Sequence, residues 1–414
     1  MLNPFFCRRS LLVGSALAFC LSLPLQAMTL EQALSLAEQQ APSLQAWRLN
    51  ELAVRSEAQA AGQLPDPKLA LGLQNVPIEG DQRGRLNADG MTMQMIGLMQ
   101  EVPNSARRQA QRELAGAAVE RVQAEYQVER LNVRLEVAEA WLRLHALQRQ
   151  LALFDEFYAQ NDVLAASIAA RLAGGLGPLA VQPLAALERA RLDQRRDLLL
   201  SEQEVWRAQL RRWLGAQAPA QTLGNWPQWP LDLNGYRARL ALQPELAQYR
   251  PLAREREAAV RLAEADRRPD WGWELAYQRR GMGLDDMFSV QVSVGLPLFS
   301  GRRQQPRIAA REAELAALDR ERDSAWLRLE NELEVELSQY RRLELAQARS
   351  TQQMLPLAEQ RAELALADYR GGRAELDGLI DARRELIETR LQHVELEAAR
   401  AISHTRLHLT WGEH

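Results

Sequence analysis

The two halves of the chain repeat one order of elements. The first half reads Leu64-Pro65-Asp66-Pro67, a strand-like run, a polar loop, a second strand-like run ending at Glu101-Val102-Pro103, then Ser105-Ala106-Arg107-Arg108. The second half reads Arg268-Pro269-Asp270, a strand-like run, a shorter loop, a run ending at Leu296-Pro297, then Ser300-Gly301-Arg302-Arg303. Further on, Ala173-Gly174-Gly175-Leu176 answers Arg370-Gly371-Gly372-Arg373. Each half therefore predicts helix, strand, strand, long helix, Gly-Gly turn and helix, and an internal repeat of this kind constrains the fold more than any single motif.

The strand-like runs have a period of two, which sets one face apart from the other. Phe288, Val290, Val292, Val294 and Leu296 alternate with Ser289, Gln291, Ser293 and Gly295. Trp271, Trp273, Leu275 and Tyr277 alternate with Gly272, Glu274, Ala276 and Gln278, and Leu69, Leu71 and Leu73 with Lys68, Ala70, Gly72 and Gln74. Met91, Met93, Met95 and Met99 share a parity with Gly97 and Glu101. These methionines are expected to face lipid or to pack, with soft thioether contacts to Cu(I) as the alternative. Each run is near the 9 to 11 residues of a tilted membrane strand, and the tryptophans suit an aromatic girdle. Two soluble hairpins with one face on a core are the competing arrangement. Four strands cannot close a barrel; two copies would give a filled barrel of eight, and three a barrel of twelve with room for a lumen.

The helices read as a wall. Val133, Val137, Ala140, Leu144, Leu147 and Leu151 form one apolar row, and Leu131, Leu135, Ala138 and Leu142 a second that faces nearly the opposite way. Two opposed stripes predict neighbours on both sides. The same stepping runs through Leu315, Leu318, Trp326, Leu329, Leu333, Leu337 and Tyr340. If continuous, the helix from Ala106 to Leu172 measures on the order of 100 Å at 1.5 Å per residue. Gly174-Gly175 and Gly371-Gly372 are the expected reversals at the far ends, Thr29-Leu30-Glu31-Gln32 carries a capping-box pattern, and the Pro- and Trp-bearing stretch from Ala216 to Leu233 reads as a non-helical connector.

Residues 1–27 have the form of a secretory signal: Arg8 and Arg9, an apolar stretch from Leu11 to Leu23, then Pro24 and Leu25-Gln26-Ala27, so that the mature chain would start at Met28. Both cysteines, Cys7 and Cys20, lie inside it, which leaves the mature chain without a disulfide or a thiol ligand. Lipidation of Cys20 is disfavoured by the bulky Phe19 before it. The net charge of −3 gives no argument for nucleic acid. No phosphate loop or nucleophile elbow is present, so an enzyme is not expected, and neither is a cofactor. His404 and His408, four apart on the last helix, are weak candidates for a metal pair, with a solvated helix face as the preferred alternative.

Pro65-Asp66-Pro67, Gln100-Glu101-Val102-Pro103 with Arg107-Arg108, Gly295-Leu296-Pro297-Leu298-Phe299-Ser300-Gly301, and Tyr369 three residues before Gly372 resemble the TolC family of outer-membrane channel proteins. The resemblance spans residues 28–414, and Pro65 to Pro103 is most similar to the heavy-metal efflux (CzcC-like and CusC-like) branch. It implies a mixed α and β membrane protein in which four strands per chain form a twelve-stranded outer-membrane β-barrel in a homotrimer, continuous with a long periplasmic α-helical barrel. The expected division is a signal peptide over 1–27 and a first repeat over 28–214, with strands near 68–76 and 91–102, a helical hairpin over 106–214 and its tip at 173–179. A connector over 215–235 leads to a second repeat over 236–414, with strands near 271–280 and 287–298, a hairpin over 304–411 and its tip at 371–376.

The implied function is the outer-membrane channel of a tripartite efflux system. It would work with a periplasmic adaptor and a resistance-nodulation-division pump of the inner membrane and export heavy-metal cations. A drug-efflux or type I secretion duct is the alternative within the family, and a soluble periplasmic coiled-coil scaffold the alternative outside it. By the resemblance, Asp377 and Asp381 form an acidic ring at the periplasmic entrance, and Tyr369 and Arg373 are latch residues. Asp381 lies twelve residues after Tyr369 as in the family, Asp377 sits one position early, and Arg373 is displaced by one. The opposite tip, Leu179-Ala180-Val181-Gln182, lacks the acid that serves relatives as a latch partner. Ser289, Gln291, Ser293, Glu274 and Gln278 would face the water-filled pore, and Phe288, Val290, Val292 and Val294 the lipid.

Overall fold

The computed structural model describes residues 27–86, 89–175, 178–281 and 283–412, so the proposed signal peptide lies outside the described residues except for Ala27. Two helices, α1 (Leu30–Gln40) and α2 (Pro42–Ala60), precede strands β1 (Lys68–Gln74) and β2 (Met93–Val102). The wall then rises through α3 (Ser105–Ala152) and α4 (Phe154–Ala173) and returns through α5 (Leu184–Leu214). Short helices α6 (Leu233–Ala238) and α7 (Pro244–Ala247) lead into α8 (Tyr249–Ala265), strands β3 (Trp271–Arg280) and β4 (Met287–Val294), and the second hairpin, α9 (Ser300–Arg349), α10 (Leu355–Arg370) and α11 (Leu376–Leu407).

The four strands form one antiparallel sheet in the order β1-β2-β3-β4. Leu71 faces Ile96, Ile96 faces Tyr277, and Tyr277 faces Phe288, so one apolar row crosses all four strands. Its members lie open: Leu71 is 73 % exposed, Phe288 66 % and Val292 64 %. The strands therefore do not rest this face on a core of the chain, because among the described residues nothing covers it. The opposite face carries Lys68, Glu101, Glu274, Gln278, Ser289, Gln291 and Ser293, and with them Met93, Met95 and Met99. The methionines do not join the Leu and Val face, as a lipid-facing assignment requires; Gln74 Nε2 donates to Met95 Sδ at 3.2 Å. Met91 precedes the strand.

The helical wall is held by several separate apolar clusters, not one core. Both rows of α3 are covered: Val133, Val137, Ala140 and Leu144 on one side and Leu131, Ala138 and Leu142 on the other are buried. The first long helix is not continuous. At Leu153 the amide turns to the Gln150 carbonyl, three residues back, and the tightened turn lets Phe154 and Phe157 enter a cluster with Leu192 and Leu199. In α9 the row passes through Ala325, which is buried, while Trp326 stays 40 % exposed. Between α9 and α10 a wide π-turn over Ser350–Met354 precedes Pro356, which has no amide to donate and whose ring crowds the preceding turn.

The capping box at Thr29 is formed, with Gln32 N donating to Thr29 Oγ1 and Thr29 N donating to Gln32 Oε1. Met28 is stitched to the connector: its amide donates to the Gln221 carbonyl and its carbonyl accepts from Leu223 N and from Trp141 Nε1. Beside it His145 is buried, stacked on Trp141 and edge-on to Trp226. The Thr222 hydroxyl gives its one proton to Gln148 Oε1 at 2.7 Å, so its 2.8 Å contact with His145 is donated by Nδ1–H. Burial, then the nearby Arg149, push the His145 imidazole down to about 4, against a smaller pull from Glu397.

Sheet and wall meet at Asp270. Its Oδ1 accepts from the backbone amide of Asn104 at 2.8 Å and from Asn104 Nδ2 at 2.9 Å, and its Oδ2 accepts from Arg107 at 2.7 Å. Asn104 also caps α3 through its Oδ1, which accepts from Arg107 N, and its Nδ2 reaches the Ala265 and Arg268 carbonyls. One carboxylate and one amide thus tie β2, α3, α8 and β3 together. Burial opposes the charge on Asp270, but the Asn104 and Arg107 hydrogen bonds outweigh it and hold the carboxyl below its usual range.

Two predictions follow from these joints. Asp270→Ala removes an acceptor that several donors share and is expected to destabilise the chain by about 2–3 kcal/mol, read as a lowered midpoint in thermal unfolding followed by circular dichroism in detergent. Because His145 is held neutral when folded, its contribution to stability is present above its unfolded value near 6.5 and is lost as pH falls toward 4. His145→Gln should flatten that part of the stability profile between pH 7 and 4.

Candidate pore face and periplasmic entrance

The two Gly-Gly turns are built alike. Gly175 and Gly372 have φ of 68° and 66°, a left-handed conformation that side chains resist, whereas Gly174 and Gly371 have ordinary negative φ. The Gly372 amide returns to the Tyr369 carbonyl, and the Arg373 amide to the Asp368 carbonyl, closing the end of α10.

Tyr369 and Arg373 go different ways. Tyr369 is 5 % exposed, in a cluster with Leu164, Ile168, Leu376, Leu379 and Ile380. The Arg171 guanidinium covers its ring at 4.6 Å and donates to its carbonyl at 3.0 Å. Arg373 stays exposed at the rim, pairing with Asp368 at 2.9 Å. Within the chain, Tyr369 therefore joins the two hairpin tips through Arg171, a contact that residue spacing did not suggest.

Asp377 and Asp381 lie one turn apart on α11, both exposed, and Asp377 borders a cleft between the tips together with Arg171, Tyr369, Arg373 and Glu375. The Asp381 carboxylate sits 3.3 Å from Arg384 Nη1, and Arg384 Nε donates to Glu188 on α5 at 2.9 Å. Glu188 also holds Arg191 at 2.7 Å and has a side chain only 12 % exposed. It supplies α5 with an acid that the turn Leu179-Ala180-Val181-Gln182 lacks, a turn and a half further along the helix. Next to Arg384, burial pushes the Arg383 guanidinium down, with Glu188 pulling it back.

On the sheet, Ser289, Gln291 and Ser293 share a face with Glu274 and Gln278; Gln291 is directly opposite Glu274, and Ser289 Oγ donates to Gln278 Oε1 at 3.3 Å. His404 and His408 are not on a solvated face. His404 is buried against Trp229 and Tyr340, His408 stacks flat on Trp229 at 4.4 Å, and burial pushes His404 down. Two imidazoles packed on aromatic rings join the connector to α11 and do not open toward a shared metal. No group of three or more His, Cys, Asp or Glu poised for a metal occurs among the described residues, and no helix among them is long and apolar enough to cross a membrane.

Residues 236–413 match the outer membrane efflux protein family. No curated protein matches the sequence. In three dimensions the chain is similar to a membrane protein from Pseudomonas aeruginosa, with a TM-score of 0.79 and 17 % identity, covering 99 % of this chain and 96 % of that one. It is similar to CusC, with a TM-score of 0.78 and 15 % identity over 93 % and 92 % of the two chains. It is also similar to the outer membrane protein VceC from Vibrio cholerae, with a TM-score of 0.76 and 18 % identity over 92 % and 96 %.

The paired glycines give a sharp test of the turn geometry. Gly372→Ala forces a side chain into a left-handed conformation and should cost about 1 kcal/mol. Gly371→Ala has ordinary φ and needs a shift of only a few tenths of an ångström from the Ala367 carbonyl, 3.3 Å from the added carbon. Amide hydrogen exchange across residues 366–380 should accelerate more in the first variant than in the second.

Proposed function

We propose, from a chain that belongs through residues 236–413 to the outer membrane efflux protein family, that this protein is the outer-membrane duct of a tripartite efflux system. Three copies close a barrel in the outer membrane of a Gram-negative bacterium and extend a helical tunnel into the periplasm. The tunnel meets a periplasmic adaptor and an inner-membrane pump of the resistance-nodulation-division type. The observation that carries this reading is the sheet: on the same four strands one face is dominated by apolar side chains that no described residue covers, with Gln94, Gln100 and Arg279 the polar residues on it, and the other face is mainly polar. A bilayer outside and water inside satisfy both faces at once.

In this assembly Ser289, Gln291, Ser293, Glu274 and Gln278 line the lumen, with Met93, Met95 and Met99 beside them. Heavy-metal cations are the cargo we infer, since Glu274, Gln278 and the thioethers of Met93, Met95 and Met99 offer cations passing contacts on a face whose Lys68 is already paired with Glu101. The likeness of Pro65 to Pro103 to the heavy-metal branch supports the same cargo. At the far end, Asp377 and Asp381 from each copy form the entrance ring, where carboxylates gathered around one axis attract cations. Tyr369 keeps the entrance in register through Arg171, and Arg373 contributes to the latch from the rim.

Single-channel recording in a planar bilayer tests this reading. Purified protein should give large, cation-selective openings, and Asp381→Ala should lower the preference for cations several-fold. Cation selectivity unchanged by that substitution would remove Asp381 from the gate. Folded protein that never inserts, and that osmotic shock releases from cells, would be a periplasmic scaffold instead.

A further inference from the structure

We propose that the two open edges of the sheet close on the next copy of this chain by repeating the joint found inside the chain. In that closure Asp66 of one copy pairs with Arg302 of the next, and Leu71 lies opposite Val292. The inference rests on the trimer reading above and names the contacts that would build it.

The argument starts from the two hairpins, which are equivalent in register as well as in sequence. Leu69 faces Leu98 and Leu71 faces Ile96 in the first, and Trp273 faces Val292 and Leu275 faces Val290 in the second. Matching Asp66 to Asp270 sets Leu69 on Trp273 and Leu71 on Leu275; matching Pro103 to Pro297 sets Leu98 on Val292 and Ile96 on Val290. The two alignments were made on residues outside the strands, yet they superimpose one hairpin's pairs on the other's. The repeat is therefore a structural one.

The contact between the hairpins, β2 on β3, then serves as a template for the contact that the edges lack. There Leu98 faces Leu275, Ile96 faces Tyr277 and Gln100 faces Trp273. Replacing β2 by its equivalent β4, and β3 by its equivalent β1, gives Val292 opposite Leu71, Val290 opposite Leu73 and Val294 opposite Leu69. All six side chains are apolar and more than half exposed in the chain. A slip of one residue would set them against Ala70 and Gly72 on the polar face, so the pattern on both edges selects this register.

The charges follow the same template. Inside the chain Arg107, at the start of α3, holds Asp270, just ahead of β3. Arg302 occupies the place of Arg107 at the start of α9, and Asp66 the place of Asp270 ahead of β1. Both are exposed, and among the described residues neither makes a side-chain hydrogen bond or an ion pair. Two opposite charges stand unpaired at the two ends of one missing joint. The copied joint is simpler than the original, because Leu298 and Phe299 stand where Asn104 would be, and the arginine carries it alone.

Cysteine pairing tests the register. In one chain Leu71 and Val292 lie on opposite edges, three strand spacings or roughly 14 Å apart, too far for a disulfide. Oxidation of the variant carrying Leu71→Cys and Val292→Cys in isolated outer membranes should therefore give a covalent trimer. For the ion pair, Asp66→Arg and Arg302→Asp should each lower the temperature of trimer dissociation in mild detergent by about 2 °C, and the double variant should regain at least half of that. Trimer that cross-links only through Leu71→Cys with Val290→Cys overturns the register, and single reversals that leave the dissociation temperature unchanged overturn the ion pair, with the trimer reading intact in both cases. Wild-type protein that is monomeric by light scattering and chemical cross-linking overturns the trimer reading itself.

Discussion

The carboxylate of Asp270 is the point on which the architecture turns. A sheet with an apolar outer face and a wall of charged helices require different surroundings, and the chain passes between them four times. Asp270 gathers the two inner crossings, after β2 and ahead of β3: Asn104 and Arg107 come from the start of α3, and through Asn104 the end of α8 is drawn to the same place. Since the cap of α3 is part of this network, the direction in which the helix leaves the sheet is set by the same hydrogen bonds that order the strands. A half-exposed ion pair alone would be worth little. Its value here comes from sharing one acceptor among donors from separate elements.

Above that joint the wall relies on many modest contacts. Its apolar clusters are separate, and between them arginine and glutamate pairs link neighbouring helices, as in Arg261 with Glu113, Arg121 with Glu255 and Arg390 with Glu156. Such a wall tolerates local irregularity. The turn at Leu153 and the π-turn at Ser350 fall on different hairpins, each between the long helix and the helix that leads to the tip. The connector matters for the same reason. Trp226 packs against His145, and Trp229 against His404 and His408, so the connector is held to α3 and α11 by ring contacts.

How much of this was legible in the sequence depended on whether a feature is local. The repeat, the strand parity and the capping box are patterns over a few residues, and they specify the four strands and the start of α1. The methionines were expected to face lipid or to pack, and only the lipid-facing half of that expectation fails; Gly97 and Glu101 on the same parity, with Lys68 opposite Met99, already point to the polar face. His404 and His408 were placed on a solvated face because spacing along a helix says nothing of Trp229, which arrives from far along the chain. The break at Leu153 has no glycine or proline to announce it. Glu188 was missed for a related reason: the acid that meets Arg384 lies along α5 and not in the turn where a counterpart was sought.

Glu188 also bears on the charge of the proposed entrance. Arg384 stands between Asp381 on its own helix and Glu188 on α5, touching both. With the two hairpins in this arrangement, the arginine is held mainly by the less exposed Glu188, and Asp381 keeps most of its charge toward solvent. Moving α11 away from α5 would free Arg384 to settle on Asp381, since a charge-assisted pair forms wherever the geometry permits. In the proposed trimer each copy would then present a weaker negative charge toward the axis. If Asp381 lines the entrance as proposed, the position of α11 and the attraction for cations would in that sense be one variable, set by which of two carboxylates holds a single guanidinium.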